Sequence, residues 1–211
     1  MSKTFLSRVL PRHRAIVFDC DGTLADSMPV HWQAWKAAFD QAGWDGFPDY
    51  PEYITWGGMS GKAVALRAAA CSGHPQPDPA VLAQIIGDKQ THYLKLACTI
   101  TPIESVLAVA RAHRGKLPMA IATGSRRRNV TQTLKAINAL DWFDVVVSAD
   151  DVEHHKPHPE TFLKAAEALG VAPEDCLAFE DAPPGIESAR AADMDVVDVT
   201  CSPDREREGA E

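Results

Sequence analysis

No apolar run in this chain of 211 residues approaches the roughly 18 residues that a membrane-spanning helix needs. The first eight residues lack the apolar stretch of a secretory signal. Cysteine is scarce: there are five, at positions 20, 71, 98, 176 and 201, scattered and with no CxxC pair. That argues against a disulfide framework and for reduced thiols in a cytosol, read as small buried hydrophobes. Positive charge is short as well. Lys plus Arg number 21 against 29 Asp plus Glu, a net charge of −8. An acidic chain repels a phosphate backbone, and no segregated basic face is visible, so general nucleic-acid binding is excluded. No repeat of solenoid length appears, and the one biased tract is a charged tail at 203–208, expected to fray. What is left is 45% hydrophobic and 24% charged, ordinary globular usage that excludes disorder, collagen and a coiled coil. The length suits one domain with an insertion or two small domains. We expect a soluble, cytoplasmic, monomeric protein with neither a nucleic-acid nor a membrane partner.

Five short apolar runs, at 15–18, 119–122, 145–147, 176–179 and 196–199, read as strands. Unbroken Val, Ile and Leu suit strands buried on both faces of a parallel sheet. Helical stretches at 127–137, 160–169 and 185–192 separate the later runs, with Pro159 before the second, Gly170 after it, and Pro183 and Pro184 ahead of the third. That alternation predicts an α/β fold, a doubly wound parallel, Rossmann-like sheet. One interval breaks the rule. Residues 19–118 separate the first two runs, where a βαβ unit needs only about 30, so an insert is expected. It reads as helical at 30–42, 62–70 and 81–97. Trp35, Ala38, Phe39 and Ala42 follow helical spacing in the first segment, with Ser27 as N-cap and Gly43 as stop; Leu82, Ile85, Ile86, Tyr93 and Leu96 do so in the third. Trp32, Trp35, Trp44 and Trp56 fall inside the insert and can give it a core of its own. We therefore expect a helical cap domain over 26–98 and a core domain over 1–25 and 99–211, to which a helix at 103–113 returns the chain.

The chemistry-bearing residues fall where strands end. The first run leads into Asp19-Cys20-Asp21-Gly22-Thr23, the second into Thr123-Gly124-Ser125, the third into His154-His155-Lys156-Pro157, and the fourth into Glu180-Asp181. Ligands of open α/β sheets bind outside the carboxyl ends of the strands. Each motif alone has an ordinary explanation as a turn or an N-cap, Ser125 included. Four in succession at one sheet edge do not. If Asp19, Asp21, Glu180 and Asp181 converge, repulsion and desolvation disfavour the cluster unless a cation lies among them. All-oxygen ligands at a phosphate-handling site favour Mg²⁺. Thr123, the N–H groups about Gly124 that open a helix, and Lys156 can hold phosphate oxygens.

With those residues in place, the sequence resembles the haloacid dehalogenase superfamily of phosphotransferases, whose motifs match Asp19 to Thr23, Thr123, Lys156 and Glu180-Asp181 in order. The resemblance spans about residues 15–199. The helical insert, the stretch 26–35 with His31, and His154 to Pro157 are similar to the β-phosphoglucomutase-like branch, and within it to the bacterial fructose-1-phosphate phosphatase type. The resemblance implies that Asp19 attacks phosphorus to form an aspartyl-phosphate and that Asp21 serves as acid and then base. It implies Mg²⁺ held by Asp19, the Asp21 carbonyl and Asp181, with Glu180 acting through water. The substrate it implies is a small phosphorylated sugar, fructose 1-phosphate first. Asp21 argues against a dehalogenase, which has no leaving alcohol to protonate.

The matching histidine of the mutase branch makes His31 a residue that positions Asp21 and substrate, while Trp35 reads as cap core. In the glycine-rich loop from Trp56 to Lys62, Gly61 stands where mutases carry an arginine for a second phosphate, which favours hydrolysis; Lys62 could compensate and keeps a β-phosphoglucomutase as the alternative. Arg126 begins a helix where cations are disfavoured, so it is a candidate for phosphate or a substrate hydroxyl, a solvated run being the equal alternative. His154, His155 and His158 invite a zinc reading, but their spacing matches no recognised structural pattern and no cysteine lies near. A non-catalytic phosphate-binding protein on the same fold is the alternative of another class; the paired Asp19 and Asp21 speak against it.

Overall fold

The computed structural model describes residues 5–200; the tail at 203–208 and Cys201 lie outside them. In chain order the elements are β1 (Ala15–Phe18), β2 (Ala25–Asp26), α1 (Met28–Gln41), α2 (Tyr50–Ile54), α3 (Gly61–Cys71), α4 (Pro79–Leu96), β3 (Thr101–Pro102), α5 (Glu104–His113), β4 (Met119–Ala122), α6 (Arg127–Ala136), β5 (Val145–Val147), α7 (Glu160–Leu169), β6 (Cys176–Glu180), α8 (Pro183–Ala191) and β7 (Asp195–Asp198). Short 3-10 turns occupy Phe5–Arg8, Ala97–Thr99 and Pro173–Asp175.

Strands β5, β4, β1, β6 and β7 lie side by side in that order, all parallel. The pleat sends alternate side chains to opposite faces. Ile16, Phe18, Ile121, Leu177 and Phe179 join a core with Val106, Leu107 and Val109 of α5 and Val130 and Leu134 of α6. Ala15, Val17, Ala120, Ala122, Cys176 and Ala178 pack instead with Phe162, Ala165 and Ala166 of α7 and Ala189 of α8. One face of the sheet is therefore built from large residues and the other from small ones. This is the doubly wound α/β arrangement expected from the alternation of apolar runs and helices.

Register positions the site. Phe18 pairs with Ile121 on one side and Phe179 on the other. Asp19, Thr123 and Glu180 therefore emerge within a residue of one another at the carboxyl edge of three adjacent strands.

The insert leaves and rejoins through a ribbon of two short antiparallel strands, with Ala25 opposite Pro102 and Asp26 opposite Thr101. Trp35, Ala38, Phe39, Tyr53, Trp56, Val64, Ala65, Ala68, Ala69, Leu82 and Ile85 form an apolar cluster within it. The insert also leans on the sheet core, because Val30, Ala34, Tyr93 and Ala97 belong to the cluster under β1.

Several local expectations are corrected. Helix α1 begins at Met28, and the Ser27 side chain does not cap it; its hydroxyl is drawn to Asp21 instead. Its buried stripe is Val30, His31, Ala34, Trp35, Ala38 and Phe39, whereas Ala42 is exposed. Pro183 and Pro184 lie inside the first turn of α8, where a missing N–H costs nothing. Helix α2 and the β2–β3 ribbon escape the periodicity reading because five and two residues are too few to show a period. Asp49, whose side chain accepts the Glu52 N–H at 3.0 Å, is the signal for α2. Cys71 and Cys98 are exposed, contrary to the reading of every cysteine as buried; Cys20 and Cys176 are buried, and these four are free thiols. No helix among the described residues is long and apolar enough to cross a membrane.

Phe179 is fully buried between Phe18, with ring centroids 5.1 Å apart, and Phe5 at 6.2 Å. Phe179→Ala is expected to cost roughly 3–5 kcal/mol of unfolding free energy, read from the midpoint of a urea titration with little change in slope.

Candidate active site

At the carboxyl edge of the sheet, β1 ends and its next residue, Asp19, is almost fully buried. The Lys156 side chain, also buried, reaches it from the loop after β5: Nζ donates to Asp19 Oδ1 at 2.7 Å, to Glu180 Oε1 at 2.8 Å and to the Ala122 carbonyl at 3.0 Å. Burial would lower the Lys156 pKa, but Asp19 and Glu180 overcome it and hold the ammonium protonated well above its ordinary range. Burial raises the Asp19 carboxyl; Lys156 opposes that, and Glu180, Asp181 and Asp21 add to it. Glu180 Oε2 takes the Ala182 N–H at 2.6 Å, so both of its oxygens are committed to protein donors.

Asp21, two residues on, is held by three donors. Ser27 Oγ donates to Oδ1 at 2.6 Å, Ser125 Oγ to Oδ2 at 2.5 Å, and His31 Nε2 lies 3.2 Å from Oδ1. Burial alone would raise this carboxyl; His31 and the two hydroxyls outweigh it and keep Asp21 well below the usual carboxylate range. Ser125 is thus an Asp21 ligand rather than an N-cap, and the N-cap position of α6 falls to Arg126. Thr123 is buried, its Oγ1 accepting the Ser125 N–H at 3.1 Å. Asp181 Oδ1 accepts the Thr23 hydroxyl at 3.0 Å. Asp19, Asp21, Thr123, Gly124, Glu180, Asp181, His31 and Arg126 all line one cleft between the sheet edge and the insert. Arg126 is exposed at the rim, whereas Arg127 is spent on Asp151 at 2.6 Å. Gly61 lines the cleft and Lys62 is exposed outside its lining.

The donor set fits a hard divalent cation. Asp19, Asp21, Glu180 and Asp181 line one cleft, and Lys156 pairs with only two of them, Asp19 and Glu180. Their oxygens suit an ion such as Mg²⁺ better than a thiolate- or imidazole-seeking one.

A haloacid dehalogenase-like hydrolase model matches residues 13–193. The chain belongs to that hydrolase family. It is 37% identical over 190 residues to the fructose-1-phosphate phosphatase YqaB of Escherichia coli, covering 89% of this chain and 97% of the relative. The structure of CbbY from Rhodobacter sphaeroides in complex with phosphate superposes with a TM-score of 0.78 at 30% identity, over 87% of this hydrolase and 84% of CbbY. A β-phosphoglucomutase from Clostridium difficile shares the fold, with a TM-score of 0.78 at 24% identity over 88% and 84% of the two chains.

The apolar-stripe reading of α4 passes over Lys89, yet this lysine is buried among Leu82, Ile85 and Tyr93 on the inward face. A charged residue on an apolar stripe is the signal that could have found it. Its Nζ sits 2.9 Å from His31 Nδ1, 4.7 Å above the Tyr93 ring and 5.3 Å above Trp35. Burial pushes Lys89 down to about 7, against the pull of Asp21. Burial and Lys89 lower His31 too, so near neutral pH its aid to Asp21 is a hydrogen bond more than a charge. Trp56 also lines the cleft, and its buried Nε1 has no partner among the described residues.

Two glycines are required by close approach. A Cβ on Gly22, at φ +87°, would fall 2.4 Å from Asp181 Oδ2, and one on Gly185 would fall 1.6 Å from Glu180 Oε1. Gly185→Ala must push Glu180 off Lys156 and is expected to destabilise the fold by about 1–3 kcal/mol, measurable by thermal or urea unfolding; an unchanged midpoint contradicts the contact.

Lys89 supplies a second expectation with a definite sign. Its folded pKa of about 7 lies below the ordinary 10.5, so the unfolded chain binds more protons between those values. The penalty is full below pH 7 and fades as pH rises toward 10.5. Lys89→Met should raise the melting temperature, most at the acid end of that window and least at the alkaline end.

Proposed function

We propose that this hydrolase is a Mg²⁺-dependent phosphatase of small sugar phosphates, fructose 1-phosphate being the first candidate, acting through an aspartyl-phosphate on Asp19. The observation that carries the reading is the environment of Asp19. Lys156 takes Oδ1, no described residue hydrogen-bonds Oδ2, and Asp21 stands two residues away with its own donors. A carboxylate so placed is a nucleophile with an acid–base partner beside it.

Asp19 Oδ2 attacks phosphorus and the bond to the sugar oxygen breaks. Protonated Asp21 gives its proton to the departing oxygen. Asp21 then takes a proton from the water that attacks the aspartyl-phosphate, releasing phosphate and restoring Asp19. Thr123 and the Gly124 region, which line the cleft, hold phosphoryl oxygens, and Lys156, whose three N–H groups go to Asp19, Glu180 and the Ala122 carbonyl, supplies positive charge beside them. His31, with Lys89 behind it, orients Asp21. Asp19, Asp181 and the Asp21 carbonyl are the residues that would hold Mg²⁺, whose positive charge stabilises the negative charge shared by nucleophile and phosphoryl group. The insert over 26–98 acts as a cap that shields the intermediate and selects the substrate. Arg126 at the rim is a candidate contact to a substrate hydroxyl or phosphate.

Hydrolysis is favoured over phosphoglucomutase chemistry because Gly61 offers no side chain to a second phosphate and Lys62 lies outside the cleft lining. The similarity to YqaB supports the sugar-phosphate class.

Phosphate release from a sugar-phosphate panel tests the reading. It should require Mg²⁺, stop with a chelator and resume when Mg²⁺ is restored. Asp19→Asn should fall at least about a thousandfold, on the order of about 4 kcal/mol of barrier, and should no longer take up beryllofluoride. Chelator-insensitive turnover, or an active Asp19→Asn protein, contradicts the mechanism. A wild-type protein that binds phosphate, lacks turnover and takes up no beryllofluoride is a binder instead.

A further inference from the structure

Apart from the carboxylate cleft, the loop that carries Lys156 gathers a second set of ligand-type side chains. Candidate donor atoms of His154, His158 and Glu160 all lie within 4.8 Å of one another. His154 Nδ1 is 3.0 Å from Glu160 Oε2, and the two imidazole centroids are 4.6 Å apart. The linear spacing groups His154 and His158 with His155; the folded loop replaces His155 with Glu160, the first residue of α7.

We propose that His154, His158 and Glu160 form a binding site for a borderline divalent cation, Zn²⁺ or Ni²⁺. Two imidazoles and a carboxylate are the donors such ions take, with remaining positions open to water. Mg²⁺ prefers oxygen and dehydrates reluctantly, so the site selects against the ion that suits the carboxylate cleft.

Glu160 is fixed before any ion arrives. It accepts the backbone N–H groups of Glu153 at 3.0 Å and His154 at 2.8 Å and pairs with Lys164 at 2.8 Å. Its Oε2 keeps a further lone pair for a cation, and a neutral His154 offers the ion one ring nitrogen while the other carries the proton. Both imidazoles are exposed, which gives an ion direct access. The start of α7 is mildly unfavourable for a cation, and Glu160 offsets it. Lys156 lies midway between the two histidines in the chain, so an ion that ties this segment together restrains the residue that links Asp19 to Glu180.

Zn²⁺ competition between the full chain and a chromophoric chelator, in excess Mg²⁺ to saturate the carboxylate cleft, tests the site. The expected result is one Zn²⁺ per chain, weakened roughly tenfold or more by His154→Ala and by His158→Ala and left intact by His155→Ala. Because both varied histidines are exposed, these proteins should fold, and unchanged circular dichroism confirms it. Absence of Zn²⁺ binding under excess Mg²⁺, a doubly substituted His154→Ala/His158→Ala protein that binds as tightly as wild type, or an equal loss on His155→Ala would overturn the assignment.

Discussion

A buried ammonium between two buried carboxylates sets the terms for the rest of this molecule. Lys156, Asp19 and Glu180 are each at least nine-tenths out of solvent. Charges placed there are tolerable only when paired and hydrogen-bonded, because desolvation is otherwise worth several kcal/mol per ion. The sheet meets that requirement through register. With β1 between β4 and β6, the Ala122 carbonyl, Asp19 and Glu180 reach the same edge together, and Lys156 Nζ bonds all three. The Ala182 N–H secures Glu180 from the far side, and Gly185 gives it room. Asp21 and Asp181 lie outside that triad and line the same cleft, where their oxygens complete a donor set that suits a hard cation.

The same dependence explains why one face of the sheet is small. Phe162 lies directly beneath Lys156, whose Nζ sits 4.9 Å from the ring centroid. Ala120, Ala122 and Ala178 let α7 approach closely enough to wall off the ammonium. On the other face Phe18 and Phe179 fill the volume that α5 and α6 leave. Packing and charge placement are thus two consequences of one strand pattern.

The strand-end chemistry was legible because all strands of a parallel sheet point the same way, so the residues that follow each strand gather at one edge. Asp19, Thr123, Lys156 and Glu180 each follow an apolar run, and strand adjacency then brings them together. Side-chain partnerships across the chain were not legible. Ser27 and Ser125 have the composition of helix caps, and only the fold shows both hydroxyls turned to Asp21, from six and 104 residues away. Lys89 was hidden because periodicity records only apolar positions and reports nothing about a cation buried between Ile85 and Tyr93. Glu160 escaped grouping with the loop histidines for a related reason: a turn through Pro157 and Pro159 folds a residue six positions on back against His154.

The donors around Asp21 also bear on how a proposed acid could carry a proton. Three donors favour its ionised form, which suits the proton-accepting half of a phosphatase cycle and opposes the proton-donating half. The His31–Lys89 pair can supply the difference. Lys89 sits near its titration point, and its ammonium donates to His31 Nδ1 when His31 presents its Nε2 proton to Asp21. A dianionic substrate entering the cleft makes every carboxylate there a stronger base, Asp21 included, and so raises its proton affinity when a proton is needed. Once the leaving alcohol departs, the hydroxyls of Ser27 and Ser125 again favour the carboxylate that deprotonates water. On this reading α4 takes part in the chemistry, because the element that covers the cleft also carries the cation that tunes its acid.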